Sequence, residues 1–325
     1  MGKIRIGTFN CENMFARYKF LNNSWEGTHY VDFIRPTVAE GLVTFGPGRD
    51  DTPVPTEISR QQRKNTAAVV LANKPDILAV QEVENLPTMR LFNSDFLKHH
   101  FAYSVLIEGN DQMRLIDVGL YSNYPFLNIR THMFETTKFP GNKDESNIFS
   151  RDCLEVEVNV DGSIVTFFVN HFKAQDKFTK RGKNPSKDVL KRKIQAERVT
   201  EIVEESMKGD KNARYVVLGD LNCPPPSDGG TELSSLYETQ ALVSVEESTD
   251  GDTWTHFFAD PKTVSKMDHI LISPALAKNN KKAKLIIERG GLSPKCKQYK
   301  GERFANVTDE TEASDHCGVF LDLDI

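Results

Sequence analysis

The chain has 325 residues, 38% of them hydrophobic and 27% charged. That is a globular composition, and it excludes a disordered, collagen-like or coiled-coil protein. Lys plus Arg number 41 against 46 Asp plus Glu, a net charge of −5, which excludes a surface that is basic all over but not a local basic groove. At about 150 residues per domain the length allows two domains, or one large sandwich or barrel.

In chain order, short runs rich in Val, Ile, Leu, Phe and Tyr fall at residues 4–9, 77–81, 103–107, 118–122, 153–160, 164–170, 215–219, 267–273, 285–288 and 318–323. Each is bounded by polar or turn residues and is predicted to be a strand. Helical period appears twice. Arg60–Asn73 carries Ala67, Ala68, Leu71 and Ala72 on one side, and residues 190–207 carry Leu190, Ile194, Val199, Ile202, Val203 and Met207. Many strands and few helices predict two packed sheets covered by helices.

Residues 17–58 interrupt this pattern with Pro36, Pro47, Pro53 and Pro55. They also hold Trp25, Tyr30, Phe33 and Phe45, which need something to pack on, so an ordered insertion is predicted rather than a linker. Residues 139–150 read as an exposed loop. Nine basic residues lie between Lys173 and Lys193, opposed only by Asp176 and Asp188. They form either a solvated surface or a phosphate-steering one.

Cys11, Cys153, Cys223, Cys296 and Cys317 are odd in number and contain no CxxC pair. They read as free, partly buried thiols suited to a reducing compartment. No apolar run approaches about 18 residues and no signal peptide is visible. The expectation is a cytoplasmic protein without stable membrane association.

Polar residues recur at strand ends. Asn10 and Glu82 follow the first two strands, Asp117 opens one, and His171 ends another. Asp220 and Asn222 follow residues 215–219, Asp268 begins a strand, and Asp315-His316 precede the last. Asp220 and Asn222, two apart in an extended segment, point the same way. Any one of these is an ordinary strand-end residue. Together they supply carboxylates for a hard cation, two imidazoles and an amide.

Thr8-Phe9-Asn10, Gln81-Glu82-Val83, Asn170-His171-Phe172, Gly219-Asp220-Leu221-Asn222, Met267-Asp268-His269-Ile270 and Ser314-Asp315-His316 occur in the order that resembles the endonuclease/exonuclease/phosphatase superfamily. That group includes deoxyribonuclease I, abasic-site endonucleases, neutral sphingomyelinases and inositol polyphosphate 5-phosphatases. The resemblance spans residues 4–323. It implies an α/β four-layer sandwich, two packed and mainly antiparallel sheets flanked by helices. It also implies one catalytic domain over residues 1–325 with an insertion at 17–58.

The resemblance further implies a metal-dependent phosphoesterase. Glu82, with Asn10 and Asp315, would hold Mg²⁺, for which Mn²⁺ can substitute. His316 would act on the phosphate or the water with its tautomer set by Asp268. Asp220 would orient or deprotonate the water, Asn222 would donate to a phosphoryl oxygen, and His171 would contact phosphate or supply a proton. Arg151 and Lys173 are candidate phosphate contacts, and Asp117 a candidate orienting group for His171. His269, beside Asp268, is expected to face the other side of its sheet.

Abasic-site endonucleases carry Tyr where His171 stands, and the inositol phosphatases carry a different motif around Asp268. The first departure points to the branch resembling deoxyribonuclease I and sphingomyelinase, and the second points away from the inositol phosphatases. No exposed aromatic membrane-binding hairpin is evident, so a nuclease acting on nucleic acid is expected. A phosphatase or phosphodiesterase of small or lipid phosphoesters is the alternative, and an inactive relative that only binds is a third.

Overall fold

Alternation along the strands is what divides this chain into layers. In Leu154–Val160 the residues Leu154, Val156, Val158 and Val160 are buried between two sheets, while Glu157 and Asn159 on the other face are only partly covered. The computed structural model describes residues 2–14, 18–21, 28–31, 54–56, 59–111, 116–175, 185–246 and 249–325. Each of its two main sheets has six strands.

The first sheet runs in the order Leu285–Glu288, Gly318–Asp324, Lys3–Met14, Ile77–Val83, Asp117–Ser122, Tyr103–Leu106. The second runs Val243–Ser244, Asp268–Ile272, Tyr215–Asp220, Ser163–His171, Leu154–Val160, Phe126–Arg130. Each sheet is antiparallel except at its middle. There Lys3–Met14 lies parallel to Ile77–Val83 in one, and Ser163–His171 parallel to Tyr215–Asp220 in the other. The expected four-layer sandwich is therefore present.

Ile4, Ile6, Ile77, Ala79, Val118 and Leu120 of the first sheet meet Val156, Phe167, Val169, Val216 and Leu218 of the second in one apolar core. Burying a side chain such as Phe167 is worth about 1.5–3 kcal/mol. The outer face of the second sheet packs Phe168, Tyr215 and Val217 under Ala196, Val199 and Val203 of the helix Pro185–Met207. The outer face of the first packs Phe9, Leu78 and Val80 under Ala67, Val69 and Val70 of Arg60–Asn73, and Met89 and Phe92 of Leu86–Asp95.

Arg60–Asn73 begins where the Ser59 hydroxyl accepts the Gln61 and Gln62 amides, and ends at Lys74 in the left-handed region before Pro75. Its buried face differs from the expected one. Thr66, Val69, Val70 and Asn73 are buried, whereas Ala68 and Leu71 are half-covered and Ala72 is exposed. Hydrogen bonds make polar burial tolerable here: Thr66 Oγ1 donates to Ala313 O, and Asn73 Nδ2 to Val69 O.

Residues 139–150 are not wholly an exposed loop. Thr136–Thr137 pairs with Ser146–Asn147, and Ile148 and Phe149 then enter the core. The five cysteines are free and buried. Of the insertion, the described parts are the strands Tyr18–Leu21, Thr28–Val31 and Val54–Thr56, which form a small sheet. Trp25, Phe33 and Phe45 lie outside the described residues. No helix among the described residues is long and apolar enough to cross a membrane.

Candidate active site

The two central parallel pairs end at the same edge of the sandwich, and the site is assembled there. In the second sheet His171, Asp220 and Asp268 are Cα partners in one row across three strands. Asp220 reaches that position through Gly219, whose φ of +140° favours glycine, and a Cβ there would sit 1.9 Å from Asn170 O.

Asp220 is the hub. Its Oδ2 accepts Asn10 Nδ2 at 3.0 Å and Asn222 Nδ2 at 3.1 Å, and lies 3.4 Å from His171 Nε2 and 3.7 Å from His316 Nε2. The Asn10 bond ties the first sheet to the second. Asp220 Oδ1 accepts the Asn222 backbone N–H at 2.9 Å. Burial, with Asp268 nearby, outweighs the opposing charge of His316 and raises the Asp220 carboxyl to about 6.

His316 is oriented from behind. Its Nδ1 lies 2.9 Å from Asp268 Oδ2, which also accepts the Thr255 hydroxyl at 2.6 Å. Burial alone would lower the imidazole, but Asp268, Asp220 and Asp315 around it hold it well above its ordinary value. The ring therefore carries a proton at neutral pH, with Nε2 turned towards Asp220. Ser314 fixes the approach, its hydroxyl donating to Asn10 O at 2.8 Å and accepting the His316 N–H at 3.0 Å.

Acidic residues gather at the facing edge of the first sheet. Glu82 sits at a bulge where Gln81 and Val83 pair with the adjacent residues Val118 and Asp117, and its φ is +59°. The register against Lys3–Met14 also slips between Asn10 and Met14, with Glu12 at φ +44°. Bulges of this kind re-aim side chains beside active sites. The Glu12 backbone N–H donates to Asn10 Oδ1, and Glu12 Oε2 accepts the Asp315 N–H, both at 3.0 Å. Burial, then Asp315, Glu312 and Glu82, push Glu12 well above the usual carboxylate range. Burial and Asp315 raise Glu312 to about 7.

A family model described as the endonuclease/exonuclease/phosphatase family matches residues 55–316. The chain belongs to that family. Its members are metal-dependent phosphoesterases. No curated protein matches the chain by sequence. Among solved structures, truncated Caenorhabditis elegans TDP2 is similar at 14% identity and TM-score 0.57, over 99% of this chain and 98% of that one. Staphylococcus aureus beta toxin is similar at 12% identity and TM-score 0.59, over 98% and 99%. The Bacteroides thetaiotaomicron mannosyl-6-phosphatase is similar at 16% and TM-score 0.54, over 99% and 100%. At these identities the likeness is one of fold.

The family's divalent cation fits this donor set. Glu82, Glu12 and Asp315, with the Asn10 amide oxygen, are hard oxygen donors. Burial, and after it the like charges of Asp315, Glu312 and Glu82, hold Glu12 up, and a divalent ion would relieve the repulsion among them. His256, Asp315 and His316 also offer ligand atoms within 4.8 Å of one another, as do Asp220, Asp268 and His316.

Other expected residues take different places. Asn222 Nδ2 donates to Phe172 O at 3.1 Å as well as to Asp220 Oδ2 at 3.1 Å. Asp117 accepts the Gly109 N–H at 2.7 Å, and the carboxylate beside His171 Nε2 is Asp220. Arg151 is buried. It donates to Phe172 O at 2.7 Å and lies 3.4 Å from Asp111. Lys173 Nζ lies 3.4 Å from Asp188. Arg192 is buried against Glu232 at 2.7 Å, while Lys177, Lys180, Arg181 and Lys183 lie outside the described residues. His269 turns away as expected, its Nε2 on Cys223 O at 2.9 Å.

Sequence reasoning missed Glu12, Thr255, His256 and Glu312. Glu12 had a signal, since it lies two residues beyond Asn10. His256 had none, because its strand, His256–Phe258, is three residues long.

Proposed function

We propose that this chain is a divalent-metal-dependent phosphoric ester hydrolase, a single catalytic domain whose substrate is the phosphodiester of a nucleic acid. The observation that carries the hydrolase reading is the row His171–Asp220–Asp268 closed over by His316, whose Nδ1 is held by Asp268 and whose Nε2 faces Asp220. A bound Mg²⁺, for which Mn²⁺ can substitute, supplies neutralisation of phosphoryl charge. Glu82, Asn10, Asp315 and Glu12 would hold it.

Asp220, raised to about 6, is ionised at neutral pH yet basic enough to take a proton from an attacking water. As the water oxygen bonds to phosphorus, the bond to the leaving oxygen breaks. The His316 imidazolium, kept charged by Asp268, sits where negative charge grows. His171, whose Nε2 approaches the same Asp220 oxygen as His316 does, is the second contact to the phosphate.

A second reading has an observation of its own. Lys173, Arg151 and Arg192 each have an acidic partner inside the protein, which leaves less positive charge for a long polyanion and suits a small or lipid phosphoester. The similarity to a mannosyl-6-phosphatase points the same way.

A substrate panel decides between them: supercoiled plasmid, linear DNA, RNA, and soluble and lipid phosphoesters, each with Mg²⁺ or EDTA. Hydrolysis of nucleic acid lost in EDTA is the expected result, and turnover confined to phosphomonoesters would overturn the nuclease reading. If Lys177, Lys180, Arg181 and Lys183 track duplex DNA, neutralising them makes the slope of log affinity against log salt shallower by ~0.9 for each DNA phosphate that loses its cation.

A further inference from the structure

His256 touches both Asp315 and His316, and no sequence motif marked it. Its strand is tied by backbone to the segment that carries the two site residues: Phe257 N donates to Asp315 O at 2.9 Å, Cys317 N to Thr255 O at 2.7 Å, and His256 and His316 form a β-bridge. The imidazole is wedged between two rings. Phe258 lies edge-on at 4.0 Å between centroids, and His316 is tilted at 4.4 Å. Backbone and packing together leave the ring one orientation, with Nε2 3.1 Å from Asp315 Oδ2.

The tautomer follows from the other nitrogen. Nδ1 of His256 is buried and has no hydrogen-bond partner among the described residues. A neutral imidazole has one N–H, and burying it without an acceptor costs far more than burying a bare ring nitrogen. The proton therefore sits on Nε2, the nitrogen that faces the carboxylate. Ligation of a cation through Nε2 would move the proton to Nδ1, where nothing among the described residues accepts it, so Nε2 is better suited to Asp315 than to a metal. His316 shows the opposite arrangement, with Nδ1 on Asp268.

We infer that His256 is a positioning residue for Asp315, donating its Nε2–H to Oδ2 and leaving Oδ1 as the oxygen presented to a divalent cation. Oδ1 already faces the site, 3.9 Å from His316 Nε2. The neighbouring Thr255 does the equivalent for Asp268. Its hydroxyl donates to Asp268 Oδ2 while accepting the backbone N–H groups of Met267 and Asp268, both at 3.0 Å. Two consecutive residues thus set the carboxylate behind His316 and the carboxylate beside it. The inference rests on the phosphoesterase reading of the same site.

The test measures Mn²⁺ binding to the full-length protein by the EPR signal of the free ion, without substrate. In His256→Gln the side-chain amide nitrogen reaches the position of Nε2, whereas in His256→Asn it reaches only that of Nδ1. His256→Phe keeps the ring packing and removes the donor. The expected result is near-wild-type affinity for His256→Gln and a loss of about 10–100-fold for His256→Asn and His256→Phe. Far-UV circular dichroism checks the fold of each, and His256→Phe decides the matter if His256→Asn does not fold. Equal affinity in all four proteins would overturn the inference. So would a His256→Gln as weak as His256→Asn, which would make the ring itself the ligand. A wild type that binds no Mn²⁺ would sink the metal-dependent reading as a whole, an outcome distinct from these.

Discussion

Asp220 and Asp268 stand directly opposite each other across an antiparallel strand pair, and both carboxylates flank one imidazole, that of His316. Two buried carboxylates this close repel unless a positive charge lies between them. His316 supplies it: Asp268 takes the Nδ1 side and Asp220 lies on the Nε2 side. The result is a divided pair, with Asp268 spent on orientation and Asp220 left basic.

That division predicts how losses combine. Asp268→Asn removes the negative charge that helps keep His316 an imidazolium, and His316→Ala removes the ring, so each is expected to lower turnover by ~10²–10⁴-fold. The double variant should be little worse than His316→Ala alone, because residues acting as one unit fail together. Rates for both single variants and the double variant at saturating Mg²⁺ measure this. Multiplying losses would mean that Asp268 serves something other than His316.

Glu82→Gln keeps the shape of the bulged residue and removes its charge. Apparent Mg²⁺ affinity and turnover at limiting Mg²⁺ should fall together, with partial recovery at high Mg²⁺. Titrating activity against Mg²⁺ after EDTA stripping reads both. An unchanged titration would take Glu82 away from the cation.

The sandwich was legible because its strands are short apolar runs that alternate or are buried on both faces, and periodicity reports burial. The row His171–Asp220–Asp268 was partly legible, since each residue ends or begins a strand. Their alignment depends on register, which no single segment encodes. Within the basic stretch, the places of Lys173 and Arg192 were hidden for the same reason. Charge along a sequence does not show that Arg192 turns inward to Glu232, or that Lys173 pairs with Asp188. The buried faces of Arg60–Asn73 were hidden by composition, because Thr66 and Asn73 are buried through hydrogen bonds to distant or local carbonyls. His256 was invisible because its importance comes from Asp315, 59 residues away.

Gly219 gives a prediction about the scaffold. In Gly219→Ala the Cβ would fall 1.9 Å from Asn170 O at a φ of +140°, so backbone must move at the residue before Asp220 and beside the one before His171. A stability loss of about 1–3 kcal/mol is expected, with turnover falling further than the folded fraction does. Urea unfolding together with activity, both well below the melting temperature, separates the two. Wild-type turnover in the folded variant would show that the site tolerates a shifted Asp220.

Behind Asp268 lies a buried cluster that predicts the pH dependence of stability. Glu246 Oε1 accepts the Tyr237 hydroxyl at 2.7 Å and lies 3.2 Å from Lys266 Nζ and 3.7 Å from His269 Nδ1. Burial would raise the Glu246 carboxyl, but His269, Lys266 and Tyr237 outweigh it and hold it at about 2, against an ordinary 4.5. A carboxylate lowered on folding stabilises fully above its unfolded value, and that contribution is lost as pH falls towards the folded value. The window is therefore about pH 4.5 down to about 2. At pH 7 Glu246→Gln should cost about 3–5 kcal/mol, because Lys266 is left buried without its counter-charge. Between pH 7 and pH 3 the gap between wild type and variant should shrink by on the order of 2 kcal/mol. Carboxylates common to both proteins titrate alike and cancel in the difference. Urea unfolding of both proteins at the two pH values supplies the measurement. A gap that stays constant would show that Glu246 gains nothing from Lys266 and His269 on folding.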